Sequence, residues 1–368
     1  MTPPDRTHDT VEGAGNRSAT QPLLEVTDLN VTFQIKTGMF GRRPLRAVRD
    51  VSFSVGAGES LGIIGESGSG KSSTGRAVLR LIEPSSGSIR LDGQEIVGLP
   101  QRELRGLRSK MQMVFQDPSS SLNPSMTVGE SIAEPLSVHT DKSKHERREE
   151  AARLLELVRL SKRQLDRYPY EFSGGQRQRI SIARAIALQP KLIILDEAVS
   201  ALDVSTQNEI VNLLNEFQAE LGLSYLFIAH DLAVVEHIAP RVGVMYLGEL
   251  VETGPTETVF AEPRHPYTQS LLSSVPSPTV SDRATKKRIP LLGETPDPIN
   301  APPGCSFHTR CSYALDICRT EHPPTVTYGA DSAVQCHLHT TGPKLAGRPL
   351  ADMPAASTAG VSPGRSTA

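Results

Sequence analysis

Tryptophan is missing from the 368-residue chain, and Phe and Tyr bring the aromatic share to only 4%. So sparse a set of rings gives no support to a stacking platform for single-stranded nucleic acid. Neither charge is in excess: 39 Lys and Arg face 41 Asp and Glu, a formal net charge of −2. That argues against a chain-wide polybasic nucleic-acid binder and leaves only local patches. Long apolar runs are also missing. The longest is the five-residue stretch Tyr225 to Ala229, far short of the ~20 residues that span a bilayer. Met1 to Gln21 lacks the apolar core of a secretory signal, so the expectation is a chain made and kept in the cytosol. There are only four Cys. A reducing cytosol disfavours disulfides, which directs attention to metal binding or redox chemistry. Hydrophobic residues reach 38%, below the ~45–50% of an ordinary globular chain, and two polar ends account for the deficit.

Those ends, residues 1–22 and 340–368, are rich in Thr, Ser, Pro, Gly and Ala and are predicted to be disordered tails. Between them the pattern is mixed α/β. Leu23 to Phe33 alternates as an edge strand does. Val51 to Val55, Ser60 to Ile64, Ser88 to Leu91, Met111 to Phe115, Leu192 to Leu195 and Tyr225 to Ala229 are short apolar strands. Helical spacing marks Ser72 to Ile82, Glu146 to Leu160 and Asn208 to Leu221, the last with Ile210, Leu213, Leu214, Phe217 and Leu221 on one face. Such alternation predicts a parallel or mixed sheet covered by helices. Strand signals vanish over about residues 118–182, which reads as a helical insert. After residue 260 Pro becomes frequent, and a separate extension is placed at 261–339, after a core at 23–260.

Two motifs carry chemistry. Gly65, Glu66, Ser67, Gly68, Ser69, Gly70, Lys71 and Ser72 fit G-x-x-x-x-G-K-[ST] between a strand and a helix. Glycines let successive N–H groups turn inward onto phosphate oxygens, and the following helix presents its positive end to the same anion. Lys71 can reach the β- and γ-phosphates of a nucleotide, and Ser72 can offer its hydroxyl to Mg²⁺. Further on, Lys191 to Leu195 is an apolar strand that ends in Asp196 and Glu197. Asp196 would hold Mg²⁺, and Glu197 could polarise an attacking water.

Ser173, Gly174, Gly175 and Gln176 lie just before this acidic pair. With the phosphate loop, Gln116, Ser200 to Asp203, and His230 after a strand, they complete an ordered set that resembles the ATP-binding subunit of an ABC transporter. The resemblance spans about residues 23–339. It implies an α/β fold of the P-loop ABC type with a helical subdomain and a small Cys-containing C-terminal extension. Ser173 suits a helix N-cap, and the bare N–H groups behind it form a second anion site. In the family this site faces the ATP held by a partner subunit. The resemblance also implies that Gln116 touches Mg²⁺ and the attacking water, that His230 contacts the γ-phosphate, and that Asp203 sits across the subunit interface. By residue type alone Gln116 is an ordinary strand-end residue and Asp203 an N-cap. Ser73 continues the phosphate site. Phe40 is the candidate to stack on adenine, although Gly38 to Pro44 reads as a flexible insertion. Ala198 stands where the family usually has Pro.

Gln112 to Pro118, Ser121 to Pro124, Met126 to Gly129, His265 to Leu271 and Pro302 to Cys305 resemble the oligopeptide/dipeptide importer ATPases, of the second subunit type. The implied partners are a sister ATPase, two transmembrane permeases and an extracytoplasmic solute-binding protein, with the chain peripheral on the cytoplasmic face of the membrane and no nucleic acid involved. Relatives of that group also import nickel or oligosaccharides. The competing classes are a soluble ABC-type ATPase acting on ribosomes or DNA, which usually has two cassettes or a long coiled coil, and a non-catalytic regulatory subunit, which Glu197 and His230 oppose.

All four cysteines, Cys305, Cys311, Cys318 and Cys336, follow the spacing C-x₅-C-x₆-C-x₁₇-C. No short C-x₂₋₄-C knuckle of the usual zinc sites is present. Four thiolates without a knuckle suit a larger body such as a 4Fe–4S cluster, although the spacing is not that of the ferredoxins. Some peptide-importer ATPases of the resembled group carry such a cluster there. His308, His322, His337 and His339 keep a mixed Cys/His Zn²⁺ site open, and plain buried thiols are the third reading.

Overall fold

The computed structural model describes residues 21–37, 41–117, 121–274, 289, 291 and 293–340. Nearly all of both polar ends, and Phe40, lie outside the described residues. In the first part of the chain β1 (Leu24–Thr37), β2 (Gly41–Val55), β4 (Ser86–Leu91) and β5 (Gln94–Glu95) form an antiparallel sheet of order β2-β1-β4-β5. The second sheet holds β3 (Ser60–Ile64), β6 (Met111–Val114), β7 (Leu192–Asp196), β8 (Ser224–Ala229), β9 (Arg241–Tyr246), β10 (Glu249–Pro255), β11 (Thr325–Tyr328) and β12 (Ser332–Gln335). Its order is β11-β12-β10-β9-β3-β8-β7-β6, parallel from β9 to β6 and antiparallel beyond.

Strands β3, β7 and β8 are buried along their whole length, as expected where both faces of a parallel sheet are covered. The pleat sends alternate side chains to two different cores. Leu192, Ile194, Leu226 and Ile228 join Val26, Val48 and Ala77 between the two sheets. Ile193, Leu195, Tyr225 and Phe227 join the helices on the other face. Those helices include α3 (Val128–His139), α4 (Lys144–Leu157) and α5 (Gly174–Ile186), which fill the stretch between β6 and β7 where strand signals disappear. Helix α1 (Lys71–Val78) follows β3, α2 (Gln101–Arg108) precedes β6, and α6 (Val204–Leu221) links β7 to β8. Among the described residues no helix is long and apolar enough to cross a membrane.

Three expectations are corrected. Strand β1 is not an edge: it pairs with β2 on one side and β4 on the other. Alternation reports which side chains face a core, whereas edge position is decided by hydrogen bonds in the plane of the sheet. Leu221 does not continue the buried stripe of α6. It is 51% exposed, because Gly222, with φ 67°, ends the helix there. The region after residue 260 is not detached either. Helix α7 (Leu232–Ile238) links β8 to β9, helices α8 (Thr256–Ala261) and α9 (Pro266–Ser273) follow β10, and the β11–β12 hairpin extends the main sheet by pairing Glu252 with Val334 and Thr253 with Ala333. These strands escaped notice because they are four residues long and half polar.

Candidate nucleotide site

The phosphate loop leaves β3 at Ile64 and enters α1 at Lys71. Gly70 has φ 104°, and a Cβ there would lie 2.3 Å from the Ala47 carbonyl oxygen. Only glycine meets both demands. Gly248 N–H donates to Ser69 O at 2.8 Å, which ties the loop to the β9–β10 turn. Lys71 is buried, and its ammonium donates to Gly65 O and Glu66 O, both at 2.8 Å. Burial pulls its pKa down, opposed by the nearby Glu197, Asp196 and Glu66.

Ser72 Oγ donates to Asp196 Oδ1 at 2.7 Å, bridging α1 and the end of β7. Asp196 is fully buried, and Oδ2 has no hydrogen-bond partner among the described residues; Arg76 lies 3.7 Å from it. Burial pushes the carboxyl above its usual pKa. A desolvated, half-satisfied carboxylate beside a hydroxyl is a donor set that fits Mg²⁺. Glu197 follows with φ 48°, an uncommon backbone for a non-glycine residue. Its Oε2 accepts from Gln116 Nε2 at 2.9 Å and lies 3.2 Å from His230 Nδ1. Three strand ends thus bring Gln116, Glu197 and His230 together.

Ser67 to Ser73, Gln116, Glu197 and His230 line one cleft of about 720 Å³, within the ~300–1,000 Å³ usual for small-molecule sites. Its wall also includes Phe33, Arg46, Ala47 and Pro298, which were not foreseen. Strand pairing and a chain segment some 230 residues downstream place them there, and no local motif marks them. Glu66 is not among the lining residues; its carboxylate is held elsewhere. Ser173, Gly174, Gly175, Gln176 and Asp203 do not line the cleft either. Ser173 caps α5: Gln176 N–H donates to its Oγ at 3.3 Å, and Gln176 Oε1 accepts from Ser173 N–H at 3.0 Å. Gly175 is required for packing, since a Cβ would come 2.5 Å from Thr206 Cγ2. Asp203 caps α6 through Thr206, and those hydrogen bonds hold its carboxyl below its usual pKa.

In the C-terminal region Cys305, Cys318 and Cys336 are buried and Cys311 is half-buried, all as free thiols. Burial pushes Cys305 up to about 11 and Cys311 to about 12. Cys336 is pushed up too, and it feels Cys311, Cys305 and Cys318. Burial is the chief cause at Cys305, Cys311 and Cys336, with smaller contributions from the other thiols. Among the described residues no group of three or more His, Cys, Asp or Glu is placed to hold a metal ion. The nearby histidines are engaged elsewhere: His308 with Cys305 O, His322 with Glu249, His337 with Glu321 O, and His339 with Tyr328 and Arg264 O.

The ABC transporter family model matches residues 48–200, and the model for the C-terminal region of oligopeptide/dipeptide transporters matches residues 251–318. A probable peptide ABC transporter ATP-binding protein of Sinorhizobium fredii is 51% identical over 86% of this chain and 90% of its own length. The oligopeptide transport ATP-binding protein AppF of Bacillus subtilis is 49% identical over 87% of this chain and 98% of its own. Among solved structures, the dimeric post-hydrolysis ATP-binding cassette MJ0796, bound to ADP and Pi, is 30% identical with a TM-score of 0.58. That match covers 63% of this chain and 98% of the other.

Proposed function

Because the chain belongs to the family of ABC transporter ATP-binding subunits of the oligopeptide/dipeptide type, we propose that it powers the uptake of short peptides through two permeases. It binds ATP and hydrolyses it. The proposed remainder is a sister ATPase, a solute-binding protein outside the membrane, and a peripheral seat on the permeases at the cytoplasmic face. Residues 23–260 would form the nucleotide-binding domain, with its helical subdomain at 118–182, and 261–339 the extension.

The observation that carries the site assignment is the convergence of Ser72, Gln116, Glu197 and His230 at one cleft, with Asp196 buried behind Ser72 and bonded to its hydroxyl. In this reading Lys71 leaves the Gly65 and Glu66 carbonyls for the β- and γ-phosphates, and loop N–H groups take the remaining oxygens. Ser72 and Asp196 would hold Mg²⁺, which when bound neutralises charge on the phosphate oxygens. Glu197 accepts hydrogen bonds from an attacking water, with Gln116 and His230 keeping its carboxylate in place. The N-terminus of α5 lies outside the chain's own cleft, which supports its use on the nucleotide of a second subunit.

We place a 4Fe–4S cluster among Cys305, Cys311, Cys318 and Cys336. Support comes from the placing of all four cysteines in one C-terminal stretch, three of them buried, and from the engagement of the histidines, which a mixed Zn²⁺ site would need. The cluster would bring order to a segment rich in proline and loops.

The function is tested by uptake. Cells that depend on this transporter are given a labelled tripeptide, with the wild-type chain or with Lys71→Ala. Uptake lost in the variant and restored by the wild-type gene supports peptide import. Unchanged tripeptide uptake, with loss of nickel or oligosaccharide accumulation instead, reassigns the cargo.

A further inference from the structure

The second residue of the phosphate loop is a carboxylate, Glu66, in a loop whose task is to bind an anion. Something must hold and neutralise that charge. Arg310, 244 residues downstream, grips it in a two-pronged pair: Nη1 to Oε2 at 2.7 Å and Nη2 to Oε1 at 3.2 Å. The Arg310 side chain is only 6% exposed and that of Glu66 24%. Two more groups close on the same residue. Thr295 Oγ1 donates to Glu66 Oε2 at 3.1 Å, and Glu66 N–H donates to the Tyr267 hydroxyl at 2.8 Å. The guanidinium is packed against the Tyr246 ring at 5.9 Å. Tyr246 in turn packs on Tyr267 and Phe307 at 4.7 and 5.2 Å. Three segments after residue 260 therefore converge on one loop residue, and Pro298, three residues after Thr295, stands in the wall of the nucleotide cleft.

We propose that Arg310 is a positioning residue for nucleotide binding: it neutralises and orients Glu66, so that the C-terminal region completes the phosphate site of its own chain. The inference rests on the reading of Gly65–Ser72 as the ATP site. The physics is specific. Without Arg310 the Glu66 carboxylate is an uncompensated negative charge on the phosphate loop, one residue from the cleft-lining Ser67, and it repels an anionic ligand there. The loop also loses its anchor from outside the P-loop fold. The defect should grow with ligand charge, largest for ATP, smaller for ADP and absent for adenosine.

The test uses the full chain and measures nucleotide affinity by titration, with circular dichroism as a check on folding. Arg310→Ala is expected to weaken ATP binding about tenfold or more, as the loss of a charge-assisted pair implies. Adding Glu66→Gln to it removes the bare carboxylate and is expected to restore affinity to within about threefold of wild type. A folded Arg310→Ala chain with unchanged ATP affinity overturns the proposal. So does a defect that Glu66→Gln fails to rescue, or one equal for ATP and adenosine. Should Arg310→Ala misfold, Arg310→Gln paired with Glu66→Gln gives the same comparison. If the wild-type chain binds no ATP, it is the assignment of the phosphate site that fails.

Discussion

Ser72 Oγ donates to Asp196 Oδ1 across 2.7 Å, joining residues 124 positions apart, while the buried Asp196 Oδ2 has no hydrogen bond among the described residues. The pair is thus a half-filled donor set. Asp196→Asn removes the negative charge that would draw a hard cation, whereas Ser72→Ala removes only a neutral oxygen. Asp196→Asn is expected to raise the Mg²⁺ concentration needed for half-maximal ATP hydrolysis by at least ~10-fold, with a smaller rise for Ser72→Ala, on the scale of lost metal-site interactions. Equal Mg²⁺ dependence in wild type and Asp196→Asn would remove this carboxylate from the metal site.

Glu197→Gln keeps the size of the side chain and its contact with Gln116, but a carboxamide polarises water poorly. The variant is expected to bind MgATP and to turn it over at least ~10²-fold more slowly, the contribution of a general base. Lys71→Ala is expected to do the opposite and weaken binding itself, since a cation between two phosphates is gone. Single-turnover hydrolysis beside equilibrium nucleotide binding separates the two. Turnover of Glu197→Gln within a few-fold of wild type would end its assignment.

The signature helix makes a prediction in trans. Ser173 is exposed and outside the cleft that holds Lys71. Ser173→Arg costs about 1 kcal/mol of capping and blocks the N-terminus of α5 with a long side chain. The isolated chain should still bind ATP normally, and the assembled transporter should lose hydrolysis. Loss of ATP binding by a chain with normal far-UV circular dichroism would place Ser173 in the chain's own site.

Much of the site could be read from the sequence because its parts are local. Gly65 to Ser72, Ser173 to Gln176 and Asp196-Glu197 each require fixed neighbours, and each sits at a strand end or a helix start that periodicity locates. What escaped is what long-range pairing creates. Phe33 reaches the cleft because β1 pairs with β2. Pro298 reaches it, and Arg310 reaches Glu66, because the chain returns after β10, and no spacing rule connects residue 66 to residue 310. The β11–β12 hairpin was missed for the same reason: four half-polar residues become a strand only when β10 offers them an edge.

Two buried groups beside β10 titrate in opposite senses. Burial lifts the Glu252 carboxyl from its usual 4.5 to about 7. It also lowers His265 to about 3 from 6.5. Between pH 6.5 and 4.5 the folded chain keeps a proton on Glu252 that the unfolded chain has lost, so acidification favours folding. Over the same window the unfolded His265 gains a proton that the folded one refuses, so acidification disfavours it. The two contributions cancel there, and below pH 4.5 His265 alone acts. Glu252→Gln removes one side of the balance and leaves an acceptor for the Arg264 or His265 N–H. The variant's melting temperature is expected to fall more steeply than that of wild type as pH drops from 6.5 to 4.5. Parallel thermal-melt profiles across that window would contradict the opposition.

The cysteines give the last test. Cys305 and Cys311 are held well above their ordinary pKa by burial, so in the metal-free protein both stay protonated at pH 7. Metal binding must then displace protons from thiols that cannot ionise alone, and only a strongly bound centre can drive that. A 4Fe–4S cluster takes one thiolate per iron and is wider than a single ion. Loading such a cluster would have to draw the four thiols closer, since among the described residues no group of three or more is placed to hold a metal ion. Anaerobic purification of the full chain is expected to give a brown protein with about four irons and four sulfides, the content of one cubane. Cys318→Ser should lower that iron content, since one of four thiolates is gone, and lower the melting temperature, since a hydroxyl replaces a buried thiol. ATP affinity in Cys318→Ser is expected to fall less than in Arg310→Ala, because the Glu66 contact belongs to Arg310 and not to a thiol. A colourless anaerobic preparation, with zinc or with no metal, would rule the cluster out and leave the thiols as packed side chains.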